Sequence, residues 1–122
     1  MKRLPDSELE IMMIIWDAKE DVTSEYIMQR IEKKWAKPTV LNFLARLCER
    51  GFLERAKDGR QNIYRPTVGI DEYQKRAARD FVKRVFHNSP TGLLAALWDS
   101  GEISREERQM LKDYIESDGK ID

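Results

Sequence analysis

The chain has 122 residues, of which 36% are charged and 41% hydrophobic, and its formal net charge is zero. This length fits one domain or a small domain with an appendage, so we expect no large catalytic architecture. The sequence has no apolar signal segment and no run of about 18 apolar residues, so we expect a cytoplasmic protein without a membrane span. A single cysteine, Cys48, cannot form an internal disulfide and is typical of a small buried thiol.

The zero net charge conceals a basic segment. From Arg30 to Arg65 there are ten Lys or Arg residues against four Asp or Glu, whereas Met1 to Gln29 has three against seven. A charged segment often forms a solvated face of a protein. Here the basic charge coincides with a helix and a hairpin, which favours nucleic-acid binding.

Two helices are predicted in the first part of the chain. Asp6 and Ser7 are candidate N-caps of the first helix, which carries an apolar stripe at helical spacing. After a residue or two of extended chain, Thr23 and Ser24 are good N-caps for a second helix. Its helical spacing of apolar residues continues to Trp35.

A third helix and a hairpin are predicted next. Pro38 suits the first turn of the helix and Gly51 its end. The period then changes toward two on both sides of Asp58-Gly59, a strong hairpin turn pair. Three helices followed by a hairpin are the order of a winged-helix domain, in which the third helix enters the major groove and the hairpin reaches along the DNA backbone.

The side of the third helix opposite its apolar stripe carries groups that can read bases. Thr39, Asn42 and Arg46 lie at spacings of three and four, so they share one helical face. Asn pairs with adenine, Arg pairs with guanine, and Thr offers a hydroxyl to phosphate and a methyl to thymine. The alternative is that this face is merely solvated.

Phosphate contacts are predicted around this helix. Ala36 and Lys37 supply no side-chain acceptor for the first helical amides, which leaves these donors for a phosphate beside the Lys37 ammonium group. Lys57 and Arg60 flank the hairpin turn and would lie near the DNA backbone, although a solvated hairpin tip is the alternative. The complete predicted DNA-binding set is Thr23, Ser24, Lys37, Thr39, Asn42, Arg46, Lys57 and Arg60.

The rest of the chain is predicted to be helical and to pack on a second copy. One helix is capped by Asp71, a short one opens at Ser89-Pro90, and Ser104 with Glu107 forms a capping box for the last. These helices have more apolar residues than they can bury alone, so we assign residues 1–68 to a winged-helix DNA-binding domain and 69–122 to a helical dimerisation region. The predicted dimerisation residues are Phe81, Val85, Leu94, Leu97, Trp98, Leu111 and Ile115.

Three segments carry a resemblance to a known family: "LPDSELEIMMIIW", "PTVLNFLARLCERGFLERAKDGRQNIYRP" and "EISREERQMLKDYI". Together they resemble the BlaI/MecI/CopY family of penicillinase repressors. The resemblance implies a homodimeric bacterial repressor that places a winged helix on each half-site of a palindromic operator. It also implies that the positions of Thr39 and Arg46 are used on DNA.

Three departures from the family pattern alter these expectations. Leu41 stands where members often carry Arg, so base readout is expected to be poorer or different. The cysteine cluster of the copper-responsive members is missing, which makes copper sensing improbable. Members that respond to β-lactams are cut at an Asn-Phe bond, whereas Ala96-Leu97 stands at the matching position here, so we expect this bond to resist the sensor protease of the family.

Catalysis and cofactor binding are not expected. The only histidine, His87, sits at a predicted helix end, and one His with one Cys cannot form a zinc set. No glycine-rich phosphate loop occurs. The rival to a DNA-binding repressor is therefore a winged helix that binds another protein and has no specific DNA target.

Overall fold

The computed structural model describes residues 3–120, and within them the chain is mainly helical with one antiparallel hairpin, as predicted. It forms two compact units, the first ending at Ala77 and the second beginning at Ala78. No helix of the described part is long and apolar enough to cross a membrane. The elements are α1 (Asp6–Ala18), α2 (Ser24–Met28), α3 (Lys37–Glu49), β1 (Leu53–Asp58), β2 (Gln61–Pro66), α4 (Ile70–Val85), α5 (Pro90–Asp99) and α6 (Arg105–Glu116).

The first helix starts one residue earlier than its predicted caps. Pro5 occupies the N-cap position and makes no side-chain cap, so Asp6 and Ser7 lie inside the first turn. Asp6 still suits this position, because an acidic side chain near a helix N-terminus interacts favourably with the helix dipole. The predicted apolar stripe forms the buried face.

The second helix is much shorter than predicted. It is capped by Thr23, whose hydroxyl accepts a hydrogen bond from the Tyr26 amide at 3.2 Å, and it ends at Met28. Ile31 and Trp35, which follow helical spacing in the sequence, lie beyond it and are half-buried. Trp35 packs edge-on against Phe43 of α3, with ring centroids 5.1 Å apart. Packing of both residues against the core, with Trp35 on Phe43, therefore accounts for the apolar spacing without a helix.

The hairpin has its turn one residue later than predicted. Asp58 pairs with Gln61, so the two central turn residues are Gly59 and Arg60. Gly59 has a φ of +66°, which glycine adopts at little cost. The extended segment predicted before α2 is present, since Val22 exchanges two backbone hydrogen bonds of 2.8 and 3.1 Å with Tyr64.

The core of the first unit lies where α1, α3 and the hairpin meet. Tyr73, in the first turn of α4, closes it by packing against Trp16 and Phe52 with centroid distances of 5.5 and 6.0 Å. The Trp16 indole also donates a hydrogen bond to the Val68 carbonyl at 2.9 Å. The start of α4 therefore belongs to the compact first unit, and the functional division at residues 68 and 69 stays a prediction.

The second unit has well-formed helix starts but a poorly buried interior. Ser89 caps α5 by accepting a hydrogen bond from the Gly92 amide, and the predicted capping box of Ser104 and Glu107 is present at α6. Helix α4 begins at Ile70, so Asp71 lies in its first turn rather than at the cap. Every described residue from Ala78 onward is at least partly exposed, so this unit by itself encloses no fully buried side chain.

One buried charge stabilises the attachment of α3 to α1. The Glu8 side chain on α1 is 1% exposed, and its carboxylate accepts a hydrogen bond from the Arg50 guanidinium at 2.8 Å, at the C-terminal end of α3. A buried carboxylate without a partner loses its solvation, so the pair must stay intact for the two helices to pack in this way.

We predict that Arg50→Met lowers the free energy of unfolding by about 1–3 kcal/mol, because it leaves the Glu8 carboxylate buried and unpaired. Arg65→Met is the matched control: Arg65 and Arg50 are similarly exposed, at 45% and 40%, but the partner of Arg65, Asp21, is 40% exposed. Its loss should change stability by about 0–1 kcal/mol. Urea unfolding of both variants is the measurement, and equal effects would contradict the prediction.

Candidate nucleic-acid interface

Helix α3 presents a polar face away from the core. Val40, Leu44 and Leu47 are fully buried on one side. On the other side Asn42 and Arg46 are exposed and Thr39 is half-buried, so the three predicted base-reading residues share one face. Within residues 3–120, neither Asn42 nor Arg46 has a side-chain hydrogen bond or ion pair that would have to break before it bound a ligand.

Fewer backbone amides are free to bind a phosphate at the start of α3 than predicted. Ala36 takes the N-cap position without a side-chain cap, as expected. However, the Thr39 amide already donates to the Ala36 carbonyl at 3.0 Å, and Pro38 has no N–H. This leaves the Lys37 amide as the donor that a phosphate could reach in the first three residues of the helix.

Glu25, which was not among the predicted site residues, joins the start of α2 to the start of α3. Its carboxylate accepts hydrogen bonds from the Lys37 ammonium at 2.6 Å and from the Ser24 hydroxyl at 2.9 Å. The hydrogen bonds from Lys37 and then Ser24 lower the pKa of Glu25, so both contacts favour its charged form. The structure thus brings Ser24 and Lys37 together, but around an acidic group rather than an open anion site. Thr23 already uses its hydroxyl to cap α2.

The predicted basic residues of the hairpin lie in two places, one on strand β1 and the other in the turn. Lys57 is paired with Asn62 on β2, and Arg60 occupies the second central position of the turn. Arg55 lies two residues before Lys57 and therefore on the same face of the hairpin, and both are exposed. Arg55 was not among the predicted DNA-binding residues, although the period of two from Leu53 onward places it on the face of Lys57.

Cys48 lies on α3 beside the hairpin and is half-buried. Burial raises the pKa of its thiol, and the nearby positive charge of Arg55 opposes this shift only in part. A thiol with a raised pKa stays protonated at neutral pH and is a weak nucleophile. Its environment therefore favours a packing role for Cys48 over redox sensing.

The predicted dimerisation residues all lie in the second unit, which includes the end of α4. Six of them are exposed large apolar residues, and Leu111 is half-buried. Two further exposed residues of α6, Met110 and Tyr114, were not in the predicted set, although Met110 has 68% of its surface exposed. Residues 3–120 hold no group of three or more His, Cys, Asp or Glu side chains placed to bind a metal ion.

Comparison with known proteins gives one consistent result. Residues 4–117 match the profile of the family described as penicillinase repressor. The chain is 28% identical over 120 residues to the penicillinase repressor of Bacillus licheniformis, covering 95% of this chain and 94% of that protein. It is 23% identical over 113 residues to the methicillin resistance regulatory protein MecI of Staphylococcus aureus strain N315, covering 92% of each.

Two solved structures each resemble about 60% of the chain. One is the solution structure of monomeric Bacillus licheniformis BlaI in complex with the blaP half-operator, with a TM-score of 0.51, 27% identity and coverage of 59% of this chain and 89% of that one. The other is the DNA binding domain of the repressor BlaI, with a TM-score of 0.50, 29% identity and coverage of 60% and 94%. These likenesses confirm the winged-helix prediction. With the profile match over nearly its whole length, the chain belongs to the penicillinase repressor family.

Proposed function

We propose that this chain is a bacterial transcriptional repressor that binds a palindromic DNA operator as a homodimer in the cytoplasm. The observation that carries the proposal is the free polar face of α3, formed by Thr39, Asn42 and Arg46 beside a basic hairpin. The BlaI relative whose fold it shares was solved in complex with a half-operator, which supports the same use of this face. Membership in a repressor family also agrees with the expectation that the chain is not an enzyme.

The proposed mechanism divides the contacts into two kinds. Asn42 and Arg46 read base edges in the major groove, because their amide and guanidinium groups can form paired hydrogen bonds with adenine and guanine. Lys37, Lys57 and Arg60 neutralise phosphates and fix the position of the helix, together with Thr23 and Ser24 at the start of α2. Arg55 is added to this phosphate set because it shares the hairpin face of Lys57.

The homodimer is proposed from the exposed apolar surface of the second unit. An isolated soluble domain rarely leaves so many large apolar side chains in water. A second copy with the same surface would cover them and would bring two α3 helices to half-sites related by the same symmetry. The side chains proposed to be covered are Phe81, Val85, Leu94, Leu97, Trp98, Leu111 and Ile115, with Met110 and Tyr114 added from the structure.

We further propose that the sensor protease of the β-lactam-responsive relatives does not act at Ala96-Leu97. Both residues lie inside α5, so the backbone must open locally before a protease can bind it. The bond also lacks the Asn and Phe side chains that the family resemblance implies for the cleavage site. Release of repression would then need another signal.

We predict that Arg46→Ala weakens binding to the preferred operator by about 1–3 kcal/mol, because one base-edge contact is lost. Arg79→Ala, which removes an exposed arginine from α4, should leave operator affinity nearly unchanged. Binding is measured by fluorescence anisotropy after circular dichroism has shown that both variants are folded. If Arg46→Ala binds like the unmodified chain, Arg46 is not part of the interface.

We predict a different signature for Arg60→Ala. A phosphate contact acts on all DNA sequences alike, so the variant should bind operator and random duplex more weakly by the same factor. Its plot of log affinity against log salt should be flatter by about one unit, as expected for the loss of one phosphate contact. A winged helix that binds only protein would show no steep salt dependence in either form.

We predict that Ile115→Asp dissociates the homodimer, because it places a charge in the apolar surface proposed to be covered. Met13→Asp is the control, since Met13 is an exposed apolar residue of the first unit. Sedimentation at tens of micromolar separates the outcomes, as a dimer with a Kd near 1 μM is then mostly assembled. A monomeric unmodified chain, or a dimeric Ile115→Asp variant, would contradict the assigned surface.

A further inference from the structure

The exposed side of α3 consists of two parallel strips of different chemistry. Thr39, Asn42 and Arg46, the polar strip, follow the spacing i, i+3, i+7. Pro38, Leu41 and Ala45, the apolar strip, follow the same spacing from one residue earlier, and all three are exposed. At 100° per residue, residues of each set lie above one another along the helix, so the two strips run side by side.

Leu41 is the main apolar group of this strip. It is 37% exposed, and within the described residues of the first unit only Met13 is another large hydrophobic side chain in this exposed class. A single exposed leucine needs no explanation on most surfaces. On this helix it lies one residue from Asn42 and four from Ala45, in the surface that the proposed function turns toward DNA.

The major groove offers one group that such a strip can bind. Base edges in the groove present hydrogen-bond donors, acceptors and the C5-methyl group of thymine, which is the apolar feature that distinguishes one base pair from the others. A charged or amide side chain in place of Leu41 would compete for the polar positions. The leucine side chain has no hydrogen-bonding group and cannot compete for these positions. Its contribution to binding comes from removing apolar surface, such as a methyl group, from water.

We infer that the apolar strip, chiefly Leu41, packs on thymine C5-methyl groups in the operator half-site and so selects thymine next to the bases read by Asn42 and Arg46. This inference rests on the proposed function and specifies the base preference of the same surface.

The test uses the full chain and a random-sequence duplex pool. Repeated selection identifies the preferred duplex, which is then made with thymine or with uracil at the half-site positions, so that only the methyl group is lost. Burial of one methyl group corresponds to about a fourfold change in affinity, so each contacted thymine should give a preference of about that size over uracil. Uracil placed outside the half-sites is the DNA control.

Leu41→Ala should bind the thymine duplex more weakly and should lose most of its preference for thymine over uracil. Met13→Ala, which trims a similarly exposed apolar side chain on α1, should keep the full preference. Selected half-sites without thymine, equal binding of the two duplexes, or an unchanged preference in Leu41→Ala would each overturn the inference while leaving the repressor function standing. Failure to select any duplex would overturn both.

Discussion

The burial of one side of α3 is the constraint on which the rest of the first unit depends. Val40, Leu44 and Leu47 are inaccessible to solvent, and the Glu8–Arg50 pair holds the C-terminal end of the helix to α1. A helix buried along one stripe has no freedom to rotate, because rotation would expose the stripe and bury the opposite polar face. The backbone positions from which the side chains of the free face project are therefore fixed before any ligand arrives, which lowers the entropy cost of binding.

The electrostatics of this surface limit non-specific attraction as well as promote binding. Glu25 holds Lys37 and Ser24 in the free protein, and hydrogen bonds from both lower its pKa, so they favour its charged form. A phosphate that approaches Lys37 must compete with this carboxylate and also meets its repulsion. Among the described residues, Arg55, Lys57 and Arg60 of the hairpin have no carboxylate at hydrogen-bond distance, whereas Arg65 is paired with Asp21. Phosphate attraction should consequently be stronger at the hairpin than at the start of α3.

Much of this arrangement was predictable, and the errors have definite physical causes. The position of α3 followed from Pro38 and Gly51, since each residue has a backbone preference that depends little on its surroundings. The predicted length of α2 was wrong because Ile31 and Trp35 are half-buried although they lie in a loop rather than in a helix. Periodicity reports that a residue is buried, but it does not report which backbone conformation brings it there.

The site was predicted less completely than the fold for the same reason. Sequence spacing placed Thr39, Asn42 and Arg46 on one face, because residues three and four positions apart project from the same side of a helix. It could not predict that Glu25 would reach Lys37 twelve residues away, since that contact depends on how α2 and α3 pack. The sequence identified Leu41 as a departure from the family pattern that would change base readout, but its exposure beside the polar strip is known only from the structure.

The contrast between the two units explains how repression could be both tight and reversible. The first unit has its own buried core, whereas the second has no fully buried residue among those described, so a cover over its exposed apolar surface would stabilise it further. If the cover is a second copy, folding of the second unit and assembly are linked, and the dimer depends on protein concentration. Joining two half-site contacts raises affinity by about 10²–10⁴, a gain that disappears when the copies separate. In such a dimer a signal need not reach α3, because an event that weakens the proposed contact around Trp98 and Ile115 would remove most of the operator affinity while both first units stay folded.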